Sequence, residues 1–245
     1  MNIEILELKD FLNNKDVKSF VNMNMHKSQT GLGISYKLNS KNYDGFKIYA
    51  TMESEEELIH FNPRLYKIYL KYKPLFATEA GKAALSIRTQ VSAHGNNPIF
   101  YVYSELKNGI ELNDEPYVGS IKGISLKSTG EVCHYFRYKK ETCLDSILNI
   151  LCLFFKESKE YLIESILKEI DYLEYAVNVN NHKKITLSPF TGLTDHNILA
   201  LEDSIKLKKN LNTDIRSCAI HMNENNRLLT MDTYYKNVLK YIKYE

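Results

Sequence analysis

Cationic and tyrosine side chains recur at every second position of several predicted β-strands. Residues 85–91 read Leu-Ser-Ile-Arg-Thr-Gln-Val, and residues 46–52 read Phe-Lys-Ile-Tyr-Ala-Thr-Met. Because successive side chains of a strand point to opposite faces, each segment has one apolar and one polar face. Arg88 shares its polar face with Gln90, and Lys47 shares its own with Tyr49. Such faces suit an anionic ligand, most simply a phosphate or diphosphate.

The chain carries little net charge, so any anion site must come from a local cluster of cationic residues. The chain has 245 residues, of which 44% are hydrophobic and 25% charged, as in ordinary globular proteins. Its formal charge of +2 gives no global argument for nucleic acid or membrane binding. The N-terminus does not read as a signal peptide, and no apolar run is long enough for a membrane span. We therefore expect a cytoplasmic protein without a membrane partner.

Sequence motifs for several other chemistries are absent. The chain contains no GxGxxG or GxxxxGK[ST] phosphate loop, no HExxH zinc motif and no DDxxD motif. Its four cysteines form no CxxC pair, and its seven histidines are dispersed. The sequence thus disfavours loop-type nucleotide binding, a zinc site and the all-helical route to diphosphate chemistry. Gly31-Leu32-Gly33 is interpreted as a turn.

Five β-hairpins alternate with helices along the chain. Alternating hydrophobicity and turn residues predict hairpins at Ile34–Leu38 with Phe46–Met52, Leu85–Ser92 with Ile99–Leu106, Ile121–Lys127 with Glu131–Tyr138, Tyr172–Val179 with Lys184–Ser188, and Ile215–Met222 with Leu228–Tyr235. Residues 107–119 are predicted to be a loop. Helices are predicted over 3–22, from Ser54 to about Ala84 as a helix or helix pair with a second start at Asn62-Pro63 and an interruption at Pro74, over 143–171 as one or two helices, over 195–209, and at the C-terminus.

This order predicts one α+β domain over residues 1–245. About ten antiparallel strands must curl or close, and helices between the hairpins cover the apolar face. In a closed ten-strand barrel the polar face becomes the interior. Strand parity then assigns an interior set of Lys37, Lys47, Tyr49, Arg88, Gln90, Tyr101, Tyr103, Tyr135, Arg137, Asn178, Lys184, Arg216, Asp232 and Tyr234. The alternative is a half-exposed sheet with a solvated polar face.

This arrangement resembles the ABBA prenyltransferases, whose antiparallel ten-strand β-barrel is built from repeated α-β-β-α units with the helices outside. The segments most similar to that family, especially to its peptide-modifying members, are Leu85–Leu106, the run from Lys122 to Glu131 continuing into Tyr135–Tyr138, and Ser217–His221 with Met231–Tyr235. The resemblance spans most of the chain. It is one of architecture, because the family has no short diagnostic motif.

The resemblance implies an enzyme that transfers an allylic prenyl group from a diphosphate donor to a small aromatic or peptide acceptor. In this chemistry cations neutralise the leaving diphosphate, and tyrosine rings shield the carbocation from water. By residue type and strand position, the predicted diphosphate ligands are Lys47, Arg88, Arg137 and Arg216, and the predicted shielding residues are Tyr49, Tyr101, Tyr103 and Tyr135. Gln90, Lys184 and Tyr234 complete the predicted substrate-binding set. Glu174 is the candidate base, against an alternative as a solvated carboxylate. The sequence specifies no cofactor, and Mg²⁺ accompanying the donor is the one candidate.

A second function of a different class remains open from the sequence. A non-catalytic binding protein, such as a bacterial or phage accessory factor, could present the basic, tyrosine-rich face as an open sheet. Basic surfaces with stacking aromatic residues bind single-stranded nucleic acid. The alternative therefore predicts nucleic acid or another anionic partner on an exposed face, whereas the transferase interpretation needs an enclosed one.

Overall fold

Ten antiparallel strands form the body of the protein. A computed structural model of the chain describes residues 10–37, 43–77, 82–90, 98–112, 119–155, 160–178, 180–189, 215–223, 225 and 227–236. The strands are β1 (Thr30–Lys37), β2 (Tyr43–Thr51), β3 (Ala83–Gln90), β4 (Ile99–Leu112), β5 (Gly119–Lys127), β6 (Val132–Lys139), β7 (Tyr172–Asn178), β8 (Lys183–Ser188), β9 (Ile215–Met222) and β10 (Leu228–Lys236). Every predicted hairpin is present.

The sheet closes into a barrel because the first strand pairs with the last. Each strand pairs antiparallel with its neighbours in chain order, and β1 pairs with β10 through partners such as Gly33 and Tyr234. The predicted antiparallel ten-strand barrel is thus confirmed. Closure also contradicts the premise of the accessory-protein alternative, since the polar faces of the described strands line an interior and not an open sheet. That residues 1–245 form one domain stays a prediction.

Short helices pack against the outside of the barrel. They are α1 (Lys15–Asn24), α2 (Glu55–Phe61), α3 (Pro63–Tyr72), a 3₁₀ turn at Lys73–Leu75, α4 (Leu144–Phe155) and α5 (Glu160–Glu169). The Asn62 side chain caps α3 by accepting from the Leu65 amide at 2.9 Å, and Pro63 occupies the first turn, where a missing N–H costs nothing. None of the described helices has the length and hydrophobicity needed to cross a membrane.

The hydrophobic core lies between the outer face of the barrel and these helices. Ile34, Ile48 and Ile87 on three adjacent strands are fully buried, and so are Val17 of α1 and Leu58 of α2. These strand residues have the opposite parity to Lys47 and Arg88 and therefore point outwards. The apolar half of each alternating pattern thus supplies the core, and the polar half is left for the interior.

Several predicted boundaries are wrong in detail. Gly31-Leu32-Gly33 lies inside β1 and is not a turn, and β4 continues through residues 107–112, which were expected to be loop. The predicted helix at 3–22 is interrupted at Asn14, whose side chain caps α1, and the predicted helix at 143–171 is two helices. The predicted helices over 195–209 and at the C-terminus lie outside the described residues.

Glycines on three interior positions make room for tyrosine rings. A Cβ placed on Gly31 would lie 2.2 Å from Tyr49 Cζ, and one on Gly33 would lie 2.8 Å from a ring carbon of Tyr234. A Cβ on Gly123 would lie 2.5 Å from the Tyr103 hydroxyl. These distances are much shorter than van der Waals contact. The tyrosine rings can therefore lie against these strands only because the glycines have no side chain. The glycines of β1 therefore shape the interior.

The variant Gly31→Ala should lower the free energy of unfolding by about 1–3 kcal/mol, because overpacking forces the Tyr49 ring to move. Urea denaturation measures the loss. Tyr49→Ala in the same chain should remove the clash, so the double variant should be more stable than the sum of the two single changes predicts. Additive effects would contradict the packing that the structure gives to this pair.

Candidate functional site

Two cavities occupy the interior of the barrel, one towards each end. The hairpin-end cavity, about 650 Å³ in volume, lies where the described strands of each hairpin approach their turns. The helix-end cavity, about 380 Å³ in volume, lies at the opposite end, where strands lead to and from helices. Lys47, Ser125, Tyr135, Lys184 and Tyr234 line both cavities. These five residues, here called the dividing layer, belong to the walls of both cavities.

The structure brings most of the predicted interior set together but divides it between the cavities. Of the residues outside the dividing layer, Lys37, Arg88, Tyr101 and Asn178 line the hairpin-end cavity, and Tyr49, Tyr103, Arg137 and Glu174 line the helix-end cavity. Arg88 and Arg137 therefore do not converge on one space. The side chains of Gln90 and Arg216 lie outside the described residues.

Positive charge dominates the hairpin-end cavity. Among the side chains that the structure describes there, six are Lys or Arg and two are carboxylates. The cations are Lys37, Lys47, Arg88, Lys127, Lys183 and Lys184, and the carboxylates are Asp44 and Glu131. Enclosed cations without counterions are costly, so such a cavity favours an anion.

Some of these cations already have carboxylate partners. Arg88 donates to the Ser35 hydroxyl at 3.2 Å, and its Nη2 lies 3.6 Å from Asp44 and 3.9 Å from Asp232. The carboxylates raise the pKa of Arg88 although burial opposes them, so it stays charged. Lys127 Nζ lies 2.6 Å from Glu131 Oε1. These two cations are neutralised within the cavity wall.

The two lysines of the dividing layer have aromatic rings as neighbours instead. Lys47 Nζ lies 5.5 Å from the ring centroid of Tyr101 and 5.9 Å from that of Tyr234. Lys184 Nζ lies 5.7 Å from the Tyr234 centroid and 5.8 Å from that of Tyr135. Neither ammonium group has a carboxylate within ion-pair distance among the described residues. Lys47 and Lys184 are thus the enclosed charges that most need an anion.

Burial and the neighbouring cations Lys184 and Arg88 lower the pKa of Lys47 to about 7. The neutral amine is favoured because water is removed and two positive charges lie nearby. An anion in the same cavity would reverse both effects, since it supplies the missing counter-charge. Binding of an anion would therefore favour the charged form of Lys47.

Tyrosine hydroxyls around the same space remain protonated. Burial raises the pKa of Tyr101 to about 12 and raises the pKa values of Tyr135 and Tyr234 well above the ordinary range. Tyr49 and Tyr234 meet edge to face with centroids 6.1 Å apart, and Tyr103 and Tyr135 do so at 5.3 Å. Neutral phenol rings of this kind present π faces that attract cations without neutralising them.

An ion-paired cluster lies in the helix-end cavity. Arg137 donates to Glu174 Oε1 from Nε at 2.9 Å and from Nη2 at 2.6 Å, and its Nη1 lies 3.4 Å from Glu105 Oε1. The guanidinium carbon lies 5.1 Å from the Tyr172 ring centroid. The buried Tyr103 hydroxyl has no hydrogen-bond partner in the described part of the chain. This cavity combines carboxylates, a cation and an orphaned hydroxyl, which can orient a polar aromatic group.

Sequence reasoning missed several residues of the two cavities. Lys127, Lys183 and Glu131 lie at strand ends, where parity is difficult to assign, and Glu105 lies in the part of β4 close to the expected loop. His221 lies an even number of residues from Ser217, which also lines the interior, so alternation along β9 could have identified it. As for Mg²⁺, no group of three His, Cys, Asp or Glu side chains in the described ranges could hold a metal ion. The described residues thus offer no protein-bound metal site, and Mg²⁺ carried in with the donor stays a prediction.

The fold is similar to that of two solved structures. The prenyltransferase PriB, in complex with L-tryptophan and dimethylallyl thiolodiphosphate, matches 86% of this chain and 80% of its own at 8% identity, with a TM-score of 0.52. AnaPT from Neosartorya fischeri matches 97% of this chain and 89% of its own at 9% identity, with a TM-score of 0.57. No protein-family profile and no curated protein matches the sequence. The resemblance expected from the sequence is confirmed as one of architecture: the chain has the closed ten-strand barrel of the ABBA prenyltransferases.

The lowered pKa of Lys47 predicts a pH dependence of stability. Between about pH 7 and the ordinary lysine pKa the unfolded chain binds more protons than the folded one, so Lys47 makes stability rise with pH across that window. Lys47→Met should remove a rise on the order of 3 kcal/mol. Urea denaturation at pH 7 and about pH 9.5 measures the difference. The exposed Lys67→Met variant should keep the rise, and an unchanged rise in Lys47→Met would contradict the assignment.

Proposed function

We propose that this protein is a prenyltransferase-like enzyme that transfers an allylic prenyl group from a diphosphate donor to an aromatic or peptide side-chain acceptor inside the barrel. The observation that carries the proposal is the pair of enclosed lysines, Lys47 and Lys184, set among tyrosine rings without described carboxylate partners. The ammonium groups can stabilise an anionic diphosphate, and the tyrosine π faces can stabilise a carbocation.

The diphosphate is assigned to the hairpin-end cavity. Its volume lies within the range typical of small-molecule sites. Lys47 and Lys184 supply charge at its floor, and Arg88 supplies a guanidinium that stays charged at its wall. As the carbon–oxygen bond breaks, negative charge grows on the departing diphosphate. Cations held in place by the barrel stabilise that charge without first having to reorganise.

The prenyl group is assigned to the dividing layer. Tyr135 and Tyr234 line both cavities, so a prenyl chain pointing away from the diphosphate passes their rings. The π faces attract the allylic cation and exclude water, which would otherwise capture it as an alcohol. Tyr49, Tyr101 and Tyr103 extend the aromatic surface on either side. The roles predicted for the tyrosines thus fit this position.

The acceptor is assigned to the helix-end cavity, on the other side of the dividing layer. Its nucleophilic atom would face the allylic carbon, and its proton would pass to a carboxylate. Glu174 is the proposed base, and Arg137, which donates two hydrogen bonds to Glu174 Oε1, is proposed to orient it. This position replaces the expected role of Arg137 as a diphosphate ligand, because Arg137 lies away from Arg88 and is already paired with two carboxylates.

Donor binding is the first test. At a hundredfold excess over its dissociation constant, dimethylallyl diphosphate should stabilise the protein by about 2.7 kcal/mol, which is roughly 5–10 °C in Tm for a chain of this size. Lys184→Met removes one charge-assisted contact and should weaken binding by about ten- to a hundredfold. Lys67→Met, on the exposed face of α3, is the matched control. No shift with the unaltered protein at millimolar donor would overturn the proposal.

Transfer itself is the second test. Incubation with dimethylallyl diphosphate and a panel of indoles, phenols and short peptides containing Trp or Tyr should give a product heavier by one prenyl unit, detected by mass spectrometry. Glu174→Gln should slow product formation by about 10²–10⁴-fold with donor affinity little changed, because it removes the base and not the diphosphate contacts. The exposed Glu141→Gln serves as control. Donor binding without transfer to any acceptor, or full activity of Glu174→Gln, would count against this mechanism.

A further inference from the structure

A buried aspartate on β10 organises one wall of the hairpin-end cavity. Asp232 is 3% exposed, and its Oδ2 accepts from the Tyr234 hydroxyl at 2.9 Å and lies 2.8 Å from His221 Nε2. Its Oδ1 accepts from the Ser35 hydroxyl. His221 and Arg88 hold the pKa of Asp232 well below its usual range in spite of burial. Asp232 is therefore an ionised acceptor, and Tyr234, His221 and Ser35 each donate a hydrogen bond to it.

This arrangement fixes the tautomer of His221. Because Asp232 is ionised, the hydrogen on the imidazole is on Nε2, and in the neutral ring the lone pair is on Nδ1. No partner of Nδ1 is described in the structure. The ring lines the hairpin-end cavity, and His221 is the cross-strand neighbour of Lys184. Nδ1 is thus the nitrogen available to a molecule bound beside Lys184.

The charges around His221 come from several strands. Asp232 of β10 faces one side of the ring, and Lys184 of β8 and Arg88 of β3 add positive charge, with Lys47 of β2 across the cavity. Burial, aided by Arg88 and Lys184, lowers the pKa of His221 although Asp232 opposes the change. The lowered pKa favours the neutral ring. A lone pair on Nδ1 would repel a diphosphate oxygen, whereas a protonated Nδ1 would donate to it.

We propose that His221 is the general acid of the diphosphate cavity, charged when the donor binds, with Asp232 as its positioning residue. The inference rests on the proposed function and names a residue for its first chemical step. As the allylic C–O bond breaks, its electron pair goes to the diphosphate, and the proton on His221 Nδ1 moves to a diphosphate oxygen. The imidazole returns to neutral, the diphosphate leaves with one more proton, and the positive charge stays on the allyl group. Proton uptake from solvent with the next donor restores the acid.

The protonation of His221 can be read directly. In the uniformly ¹⁵N-labelled full-length protein, long-range ¹H–¹⁵N spectra should show His221 as the Nε2–H tautomer without ligand at pH 7. Saturation with inorganic diphosphate should convert it to the doubly protonated ring, and the signal is assigned by its absence in His221→Gln. A ring that stays neutral with diphosphate bound would overturn the inference and leave the proposed function intact. Failure of the unaltered protein to bind diphosphate would overturn both.

Kinetics separate an acid from a structural residue. His221→Gln should lower the rate of transfer by about a hundredfold or more and flatten the alkaline limb of the pH profile of kcat, with the donor affinity changed less. Asp232→Asn should leave His221 unable to hold its Nε2–H tautomer, and the NMR spectrum reports this apart from activity. His60→Gln, exposed on α2, is the control. An alkaline limb of kcat that is unchanged in His221→Gln would show that His221 has only a structural role.

Discussion

The pairing of β1 with β10 closes the sheet, and the enclosed interior exists only because of that closure. Residues such as Gly33 and Tyr234 are two hundred positions apart in the chain and become neighbours only through this pairing. Without closure the polar strand faces would be solvated, and their lysines would be ordinary surface charges. With it, the same side chains are enclosed together, and water screens their charges less. Closure thus turns the alternating polar residues of the strands into an enclosed, positively charged site.

The enclosed charges differ in how they are balanced, and this difference indicates where a ligand belongs. Arg88 and Arg137 each have carboxylate neighbours, so they act as parts of the wall. Lys47 and Lys184 have tyrosine faces instead. Ring faces stabilise a cation weakly compared with a carboxylate, so the two lysines gain most from an incoming anion. The two cavities therefore have different chemistries, and the tyrosine and lysine layer between them contacts both.

The glycines of β1 illustrate how backbone and side-chain requirements are linked in this barrel. Gly31 and Gly33 occupy interior positions of a strand, where glycine is usually unfavourable. The rings of Tyr49 and Tyr234 fill the space that side chains would take. Glycine at these positions lowers the stability of the strand but leaves room for aromatic rings at the centre of the barrel. The same residues misled interpretation of the sequence, because glycine in an isolated sequence indicates a turn.

Local patterns were sufficient to predict the hairpins and the polar face of most described strands, whereas the barrel followed from the number of hairpins together with the family resemblance. Alternation placed Lys47, Arg88, Tyr101, Tyr135 and Arg137 on the polar face because side-chain direction in a strand depends only on position. The extent of β4 and the break between α4 and α5 were less predictable, because pairing and packing override local preference there.

Strand alternation alone indicates which side chains share the polar face and that they are cationic and phenolic. Which of these side chains meet depends on how the strands are arranged around the barrel. Strand stagger around the barrel separates Arg88 from Arg137 along its axis, and residue spacing within one hairpin cannot reveal that stagger. The links from Asp232 to His221, Ser35 and Arg88 likewise join β10 to β9, β1 and β3. Ion pairing and burial depend on distances across the interior, and these exist only once the barrel has closed.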